Sequence, residues 1–415
     1  MDTMIGRFSL YGFLKNQRYF EPFIILFFLQ QGLSFTQIGV LIGFRELFIN
    51  LIEIPSGAAA DLFGRRRSMI LSFISYIISF IIFGFSSVYW HFFAAMFFFA
   101  IGEAFRTGTH KAMIFTWLRL QGRLDEKTRV YGYTRSWSKI GSVVSTVLAV
   151  IFVLATDNYS YVFFFAIVPY LIGLINFLFY PAELEGHPEK KIGLKKVAVH
   201  LWECLRSAVA VKQLRRLIVE SISFEGIYKA VETYLQPILK NIALMLPIFL
   251  LWGEAQRSSI IVGIVYIIIY FASAFASRNA HRLVRFAGSE EAGSRMLWKF
   301  NAVIYAALIP LLFFEYYYAA IICFILLSLA QNFWYPVLLS RFDAFATEEK
   351  GATVLSIESQ AKSLSTMIFA PLIGVCVDYV GGHNLGGEFW PVAAIALIPA
   401  IYIILTQPKV SKKDK

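Results

Sequence analysis

The sequence predicts an all-α membrane protein of twelve transmembrane helices arranged as two pseudo-symmetric six-helix halves. Composition is the first observation: 58% of the 415 residues are hydrophobic, 17% aromatic and only 16% charged, with a mean hydropathy of +0.64. A soluble domain needs a polar shell that this chain lacks. Segment length is the second. A spanning helix takes roughly 20 apolar residues, and such segments fall at 9–30, 36–60, 68–88, 91–117, 130–155, 161–181, 214–239, 257–277, 297–313, 317–340, 352–377 and 389–406. The third is the longest polar stretch, 182–213, which lies between the sixth and seventh segments and reads as a cytoplasmic linker. The halves are therefore 1–181 and 214–415, the second with a short basic tail.

The formal net charge of +11 forms no single patch of the kind that binds nucleic acid. Arg65, Arg66 and Arg67, then Arg119, Arg123, Lys127 and Arg129, then Arg278, Arg282, Arg285 and Arg295 occupy alternate loops. Such a bias places those loops and both termini in the cytoplasm, in a multi-pass protein of the cell (inner) membrane. No cleavable signal peptide is visible, so the first helix reads as its own insertion signal. Cys204, Cys323 and Cys376 are widely spaced and the six histidines dispersed, so neither a disulfide framework, a metal site nor another cofactor is expected. Asn158-Tyr159-Ser160 matches a glycosylation sequon in a loop too short to favour modification.

Two short matches relate the halves. Phe20-Glu21-Pro22 in helix 1 corresponds to Phe224-Glu225-Gly226 in helix 7, and Arg135–Lys139 in helix 5 to Glu358–Lys362 in helix 11. Each pair occupies the equivalent helix of its half, as duplication predicts.

Charges at membrane depth are costly and normally face a cavity. Helices 1, 2, 4, 5, 7 and 11 carry them, while helices 3, 6 and 12 carry none and helix 9 only Lys299, so the third and sixth helix of each half read as lipid-facing. Counting 1.5 Å per residue puts Glu21, Arg45, Glu103, Lys139, Glu225 and Lys362 at roughly mid-membrane depth. Arg106, Lys229, Gln331 and Asn332 complete the candidate substrate and coupling set. Glu103, with Glu21 and Glu225 next, is the preferred coupling carboxylate, because Arg106 one turn away holds it ionised until an anionic solute competes for the arginine; a permanent Glu103–Arg106 salt bridge is the equal alternative. The arginines and lysines favour an anionic or zwitterionic metabolite, with the proton as coupling ion. His110 reads as a polar group near the inner end of helix 4.

Between helices 2 and 3 stands Gly57-Ala-Ala-Ala-Asp61-Leu-Phe-Gly64-Arg65-Arg66. This resembles the G-x-x-x-D-(R/K)-x-G-R-(R/K) signature of the major facilitator superfamily, with Leu62 in place of the usual basic residue. The resemblance extends over the chain through its 6+6 layout, and implies that fold and secondary active transport of a small molecule by alternating access. For Asp61 it implies contact with the start of helix 11 near Gly351–Thr353 when the inner side is shut. Gly57 permits close helix packing, Gly64 a tight turn, and Arg65 and Arg66 a hold on anionic lipid or acidic partners. Glu46, Asn50, Glu53, Gly57 and Asp61 share one face of helix 2, which suggests a gate in which Glu53 pairs with Lys362, beside Glu358. Helix 5 lacks the G-x-x-x-G-P-x-x-G-G of drug/proton antiporters, which counts against efflux; efflux of amphipathic drugs or lipids, which the aromatic content would suit, is the alternative within transport. A non-transporting receptor is the alternative outside it. No P-loop and no catalytic pairing appears, so an enzyme is not expected. The expected partners are the bilayer, a solute and a coupling ion, around a monomer.

Overall fold

The computed structural model describes residues 3–185, 212–343 and 351–406, so most of the expected linker, 186–211, lies outside the described residues. All regular elements among them are helical. The first half comprises α1 (Thr3–Leu14), α2 (Ile24–Gln30), α3 (Phe35–Phe63), α4 (Arg65–Phe85), α5 (Tyr89–Arg106), α6 (Thr109–Leu120), α7 (Lys127–Thr156) and α8 (Tyr161–Leu178). The second comprises α9 (Lys212–Ser221), α10 (Ile227–Glu232), α11 (Leu235–Met245), α12 (Glu254–Ala287), α13 (Glu290–Phe313), α14 (Tyr317–Asp343), α15 (Gly351–His383) and α16 (Trp390–Thr406).

Among the described residues, eight helices are long and apolar enough to cross a membrane: α3, α4, α7, α8 and α12 to α15. The other four expected spans are interrupted or short. Span 1 breaks after Leu14 and resumes through a 3-10 turn, Glu21–Phe23, where Pro22 supplies no amide donor. Span 4 breaks at Gly108, whose φ of 77° favours glycine. Span 7 contains a π segment, Ile222–Gly226, and span 12 is the 17-residue α16. The three interrupted spans all belong to the helices whose charges marked them as cavity-facing, which is where broken transporter helices place their sites. The continuous helices expected at 9–30, 91–117 and 214–239 are corrected accordingly. The eighth helix also outruns its expected end, carrying Arg278, Arg282 and Arg285 on helix rather than loop.

By its contacts the chain divides into two compact units: Met1–Leu33, Val40–Trp202 and Ala243–Ile267 in unit 1, with Ser34–Gly39, Glu203–Ile242 and Ile268–Lys415 in unit 2. In unit 1, α4 packs on α5 and α8. Leu71, Ile74 and Ile81 form the exposed apolar stripe expected of a lipid-facing helix. Its other face is central, since Ser72 and Ser79 donate to the Gly102 and Ala95 carbonyls of α5 and Tyr76 is fully buried. Reading α4 as lipid-facing from its missing charges overlooked this hydroxyl-rich side. In unit 2, Phe224 stacks on Trp334 at 4.4 Å and meets Trp298 edge-on at 4.9 Å.

The internal repeat is visible as a repeated helix crossing. In unit 1, Asn16 and Gln17 donate from the broken stretch of span 1 to the Ser138 and Gly141 carbonyls of α7, at 2.9 and 3.2 Å. In unit 2, Ser365 and Thr366 of α15 donate to the Ile222 and Gly226 carbonyls of the π segment, at 2.9 and 3.1 Å. In unit 2 the fifth helix thus supplies hydroxyl donors to carbonyls of the irregular segment, whereas in unit 1 the first helix supplies the side-chain donors and the fifth the carbonyls. A Cβ on Gly226 would stand 2.4 Å from the Ser365 Cβ and 2.8 Å from the Lys362 carbonyl oxygen. Both are rigid neighbours, so this crossing requires glycine.

Candidate functional site

Unit 1 collects its buried charges around Glu103. Both carboxylate oxygens are used, one by Arg18 and the other by Arg106, in short ion pairs. Arg18 leaves the chain at the break in span 1, and Arg106 is the last residue of α5. The Tyr76 hydroxyl of α4 accepts from both guanidiniums, at 3.4 Å from Arg18 and 3.2 Å from Arg106. Gly102 makes room for that ring, because a Cβ there would lie 2.9 Å from it. The Phe99 ring faces two cations, Arg18 and Arg45, each 5.8 Å from its centroid. Lys15 lies over the Tyr11 ring at 5.5 Å and within electrostatic reach of Arg18, Arg106 and Glu103. Two guanidiniums thus share one enclosed carboxylate, with Lys15 close by.

Other expected members stand apart from Glu103. Arg45 pairs with its neighbour Glu46 at 2.8 Å. Glu21 reaches Arg18 at 3.5 Å, but its side chain is 55% exposed. Lys139 is exposed on α7. His110 is buried in an aromatic box, stacked on Tyr11 at 3.7 Å and 3.2 Å from the Tyr180 hydroxyl.

In unit 2, Glu225 on the π segment pairs with Lys362 of α15 at 2.8 Å, and its second oxygen is buried without a hydrogen-bond partner. Lys362 also lies over the Tyr335 ring at 5.9 Å. Lys229 is half-buried one turn beyond Glu225. On α14, Asn332 donates to Ser273 at 3.0 Å and to the Ser328 carbonyl at 2.8 Å, which ties α14 to α12. Gln331 is buried with its side-chain oxygen unpartnered. A second ionic group joins Glu220 to Arg341 at 2.6 Å and Arg216 at 2.9 Å, with Ser294 bonded to both Glu220 and Arg341.

At the signature, Gly64 has a φ of 99°, so the tight turn expected there is present. Arg65 donates to Thr116 at 2.7 Å and Arg66 to the Leu178 carbonyl at 2.8 Å. Both of these bonds lie within unit 1. Gly57 and the side chains of Asp61, Glu358 and the other residues near them lie outside the described set; Glu53 is half-buried.

The signature, the interrupted helices and the paired halves agree with a comparison of the whole sequence, in which the family model for the Major Facilitator Superfamily matches residues 5–357. The chain belongs to the Major Facilitator Superfamily. It has the fold and family of secondary transporters rather than of enzymes. No curated protein matches it by sequence. Among solved structures it is similar to the nucleoside transporter NupG, with a TM-score of 0.77, 10% identity and 98% and 100% of the two chains covered. A POT family transporter in complex with 5-aminolevulinic acid gives 0.70, 14%, 97% and 96%. The D-xylose-proton symporter gives 0.66, 13%, 100% and 98%.

Sequence reasoning missed Arg18 as a partner of Glu103, and also Tyr76, Arg341 and Glu220 as anchors. Arg18 was visible as a basic residue three positions before Glu21. Tyr76 carried no signal once helix 3 had been sorted by formal charge alone.

Proposed function

We propose that this superfamily member carries a small anionic or zwitterionic solute, coupled to protons. The observation that carries the reading is the shared hold of Arg18 and Arg106 on Glu103, with Lys15 nearby. A carboxylate or phosphate on a solute competes with Glu103 for two forked donors suited to bidentate anion binding. As the arginines turn to the solute, the enclosed Glu103 loses the charges that keep it ionised and takes a proton. Solute and proton binding then favour each other, as coupling requires. The neighbour described as a D-xylose-proton symporter is in keeping with a proton as the ion. Glu225 and Lys362 supply the ionic pair of unit 2.

Glu103→Gln imitates the protonated state. In proteoliposomes, exchange of labelled solute is expected to survive this change while accumulation driven by a pH gradient is lost. Unchanged gradient-driven uptake overturns Glu103 as the coupling group. Loss of both activities makes the triad a fixed brace.

We further propose that both termini and the Gln121 loop face the cytoplasm. A cysteine at Gly382 is then expected to react with a membrane-impermeant thiol reagent from outside, and one at Gln121 only after permeabilisation. The reverse pattern overturns the orientation.

A further inference from the structure

Tyr76 carries no charge and stands on α4, the helix that its missing charges marked as lipid-facing, yet it is fully buried within unit 1. Its place is fixed from several sides. One turn to either side of it, Ser72 and Ser79 donate to the Gly102 and Ala95 carbonyls at 2.6 and 2.8 Å and so bolt α4 to α5. The ring meets Phe99 of α5 edge-on at 5.2 Å and Tyr170 of α8 at 5.1 Å. It also fills the space above Gly102, where a Cβ would stand 2.9 Å from it. A ring packed this closely presents its hydroxyl with little freedom.

That hydroxyl is shared. It accepts from Arg18 at 3.4 Å and from Arg106 at 3.2 Å, which occupies both lone pairs of the oxygen. The same two guanidiniums hold Glu103, so each arginine divides its N–H donors between a carboxylate oxygen and the phenol oxygen. The two acceptors act differently. Glu103 cancels charge, whereas the neutral phenol fixes the direction of a guanidinium and leaves its charge for an anion. The arginines also start from unlike places. Arg106 ends a regular helix, while Arg18 comes from the irregular stretch after Leu14, whose Lys15 carbonyl is held by the Tyr170 hydroxyl at 3.1 Å. Tyr11 lies against Arg106 and Tyr170 against Arg18; Tyr76 differs in accepting from both. Two cations gathered on one carboxylate repel each other once that carboxylate is neutral.

Resting on the anionic reading above, we propose that Tyr76 is a positioning residue for the solute's anionic group: its hydroxyl keeps the Arg18 and Arg106 guanidiniums side by side once Glu103 has let them go. In the empty site, Glu103 and Tyr76 hold the pair together. After Glu103 takes its proton, the phenol oxygen is the acceptor the two arginines still have in common. An incoming carboxylate or phosphate then meets two forks already aimed at it, where otherwise repulsion would have splayed them. Aiming the donors in advance lowers the ordering cost of binding. A neutral acceptor suits this task better than a second carboxylate, which would hold the arginines equally well but compete with the solute for their charge.

The test labels the arginines themselves and needs no solute. Full-length protein in detergent is treated with phenylglyoxal, which modifies guanidinium groups, and the rates at Arg18, Arg106 and Arg65 are read by peptide mass spectrometry. Glu103→Gln stands for the protonated site. In that background Tyr76→Phe, which keeps the ring, is expected to raise the Arg106 rate about tenfold, the worth of one hydrogen bond to a charged group. With Glu103 intact the rise is expected to stay under about twofold, because the carboxylate is the stronger hold. Arg18 is expected to gain less than Arg106, since Glu21 remains 3.5 Å from it. Arg65, which donates to Thr116 in the same unit, is expected to be unchanged; a general loosening would instead raise all three in both backgrounds and overturn the positioning role. If Tyr76→Phe fails to fold, Gly102→Ala, whose Cβ displaces the same ring, replaces it with the same expected result. An Arg106 rate that is equal with and without the hydroxyl in the Glu103→Gln protein overturns the role of Tyr76, while an Arg106→Leu loss confined to anions would leave the anionic reading standing. If Arg18 and Arg106 stay unmodified in every variant, nothing from water reaches them, and the positioning role falls together with the reading beneath it.

Discussion

Glu220→Met is expected to cost the second half about 3–5 kcal/mol, the usual penalty for removing one member of a buried ionic group. Glu220 is almost fully enclosed, and Arg341 is only 9% exposed. Without the carboxylate, the Arg341 guanidinium keeps Ser294 and a 3.6 Å approach to the largely exposed Glu291. The charge would then be buried with nothing equal to it. Arg341→Met is expected to cost less, because Glu220 retains Arg216 at 2.9 Å. The double variant Glu220→Met/Arg341→Met is expected to be more stable than Glu220→Met alone, since it leaves no buried orphan. Melting in detergent checks this: a drop of about 10 °C for Glu220→Met would follow from the energy if the half melts as one unit. Equal melting temperatures for all three variants would mean that the group contributes nothing to stability.

The fold was legible because lipid imposes a simple rule. A run of apolar residues between basic loops must be a helix, and the period of such runs reports their number. The helix breaks were less legible. Pro22 and Gly108 are ordinary signals that hydropathy overrides when it joins apolar residues on either side. The π segment at Ile222–Gly226 left no compositional trace, because it depends on Ser365 and Thr366, more than a hundred residues away. At the site, the i, i+3 spacing of Glu103 and Arg106 announced one ion pair. Arg18 came from a different helix and needed the span 1 break to aim it.

Arg106→Leu is expected to raise the KM for an anionic solute about 10- to 100-fold, the worth of one to two charge-assisted hydrogen bonds. Arg18→Leu is expected to behave similarly, because Glu103 divides its two oxygens between the arginines and neither can substitute for the other. The change acts twice. It removes a donor from the solute, and it leaves the remaining arginine bound more completely by Glu103, hence less available. Arg106→Lys keeps the charge but loses the planar fork that engages Glu103 and Tyr76 together, so an intermediate KM is expected. A panel of carboxylates, phosphates and amino acids, each set against a neutral analogue of similar size, separates recognition from framework. Recognition predicts that the anions lose affinity while any transported neutral analogue keeps its KM. Equal losses for both, in protein that still elutes as a single species, would make the cluster a brace between the span 1 break and α5 and remove the case for an anionic solute.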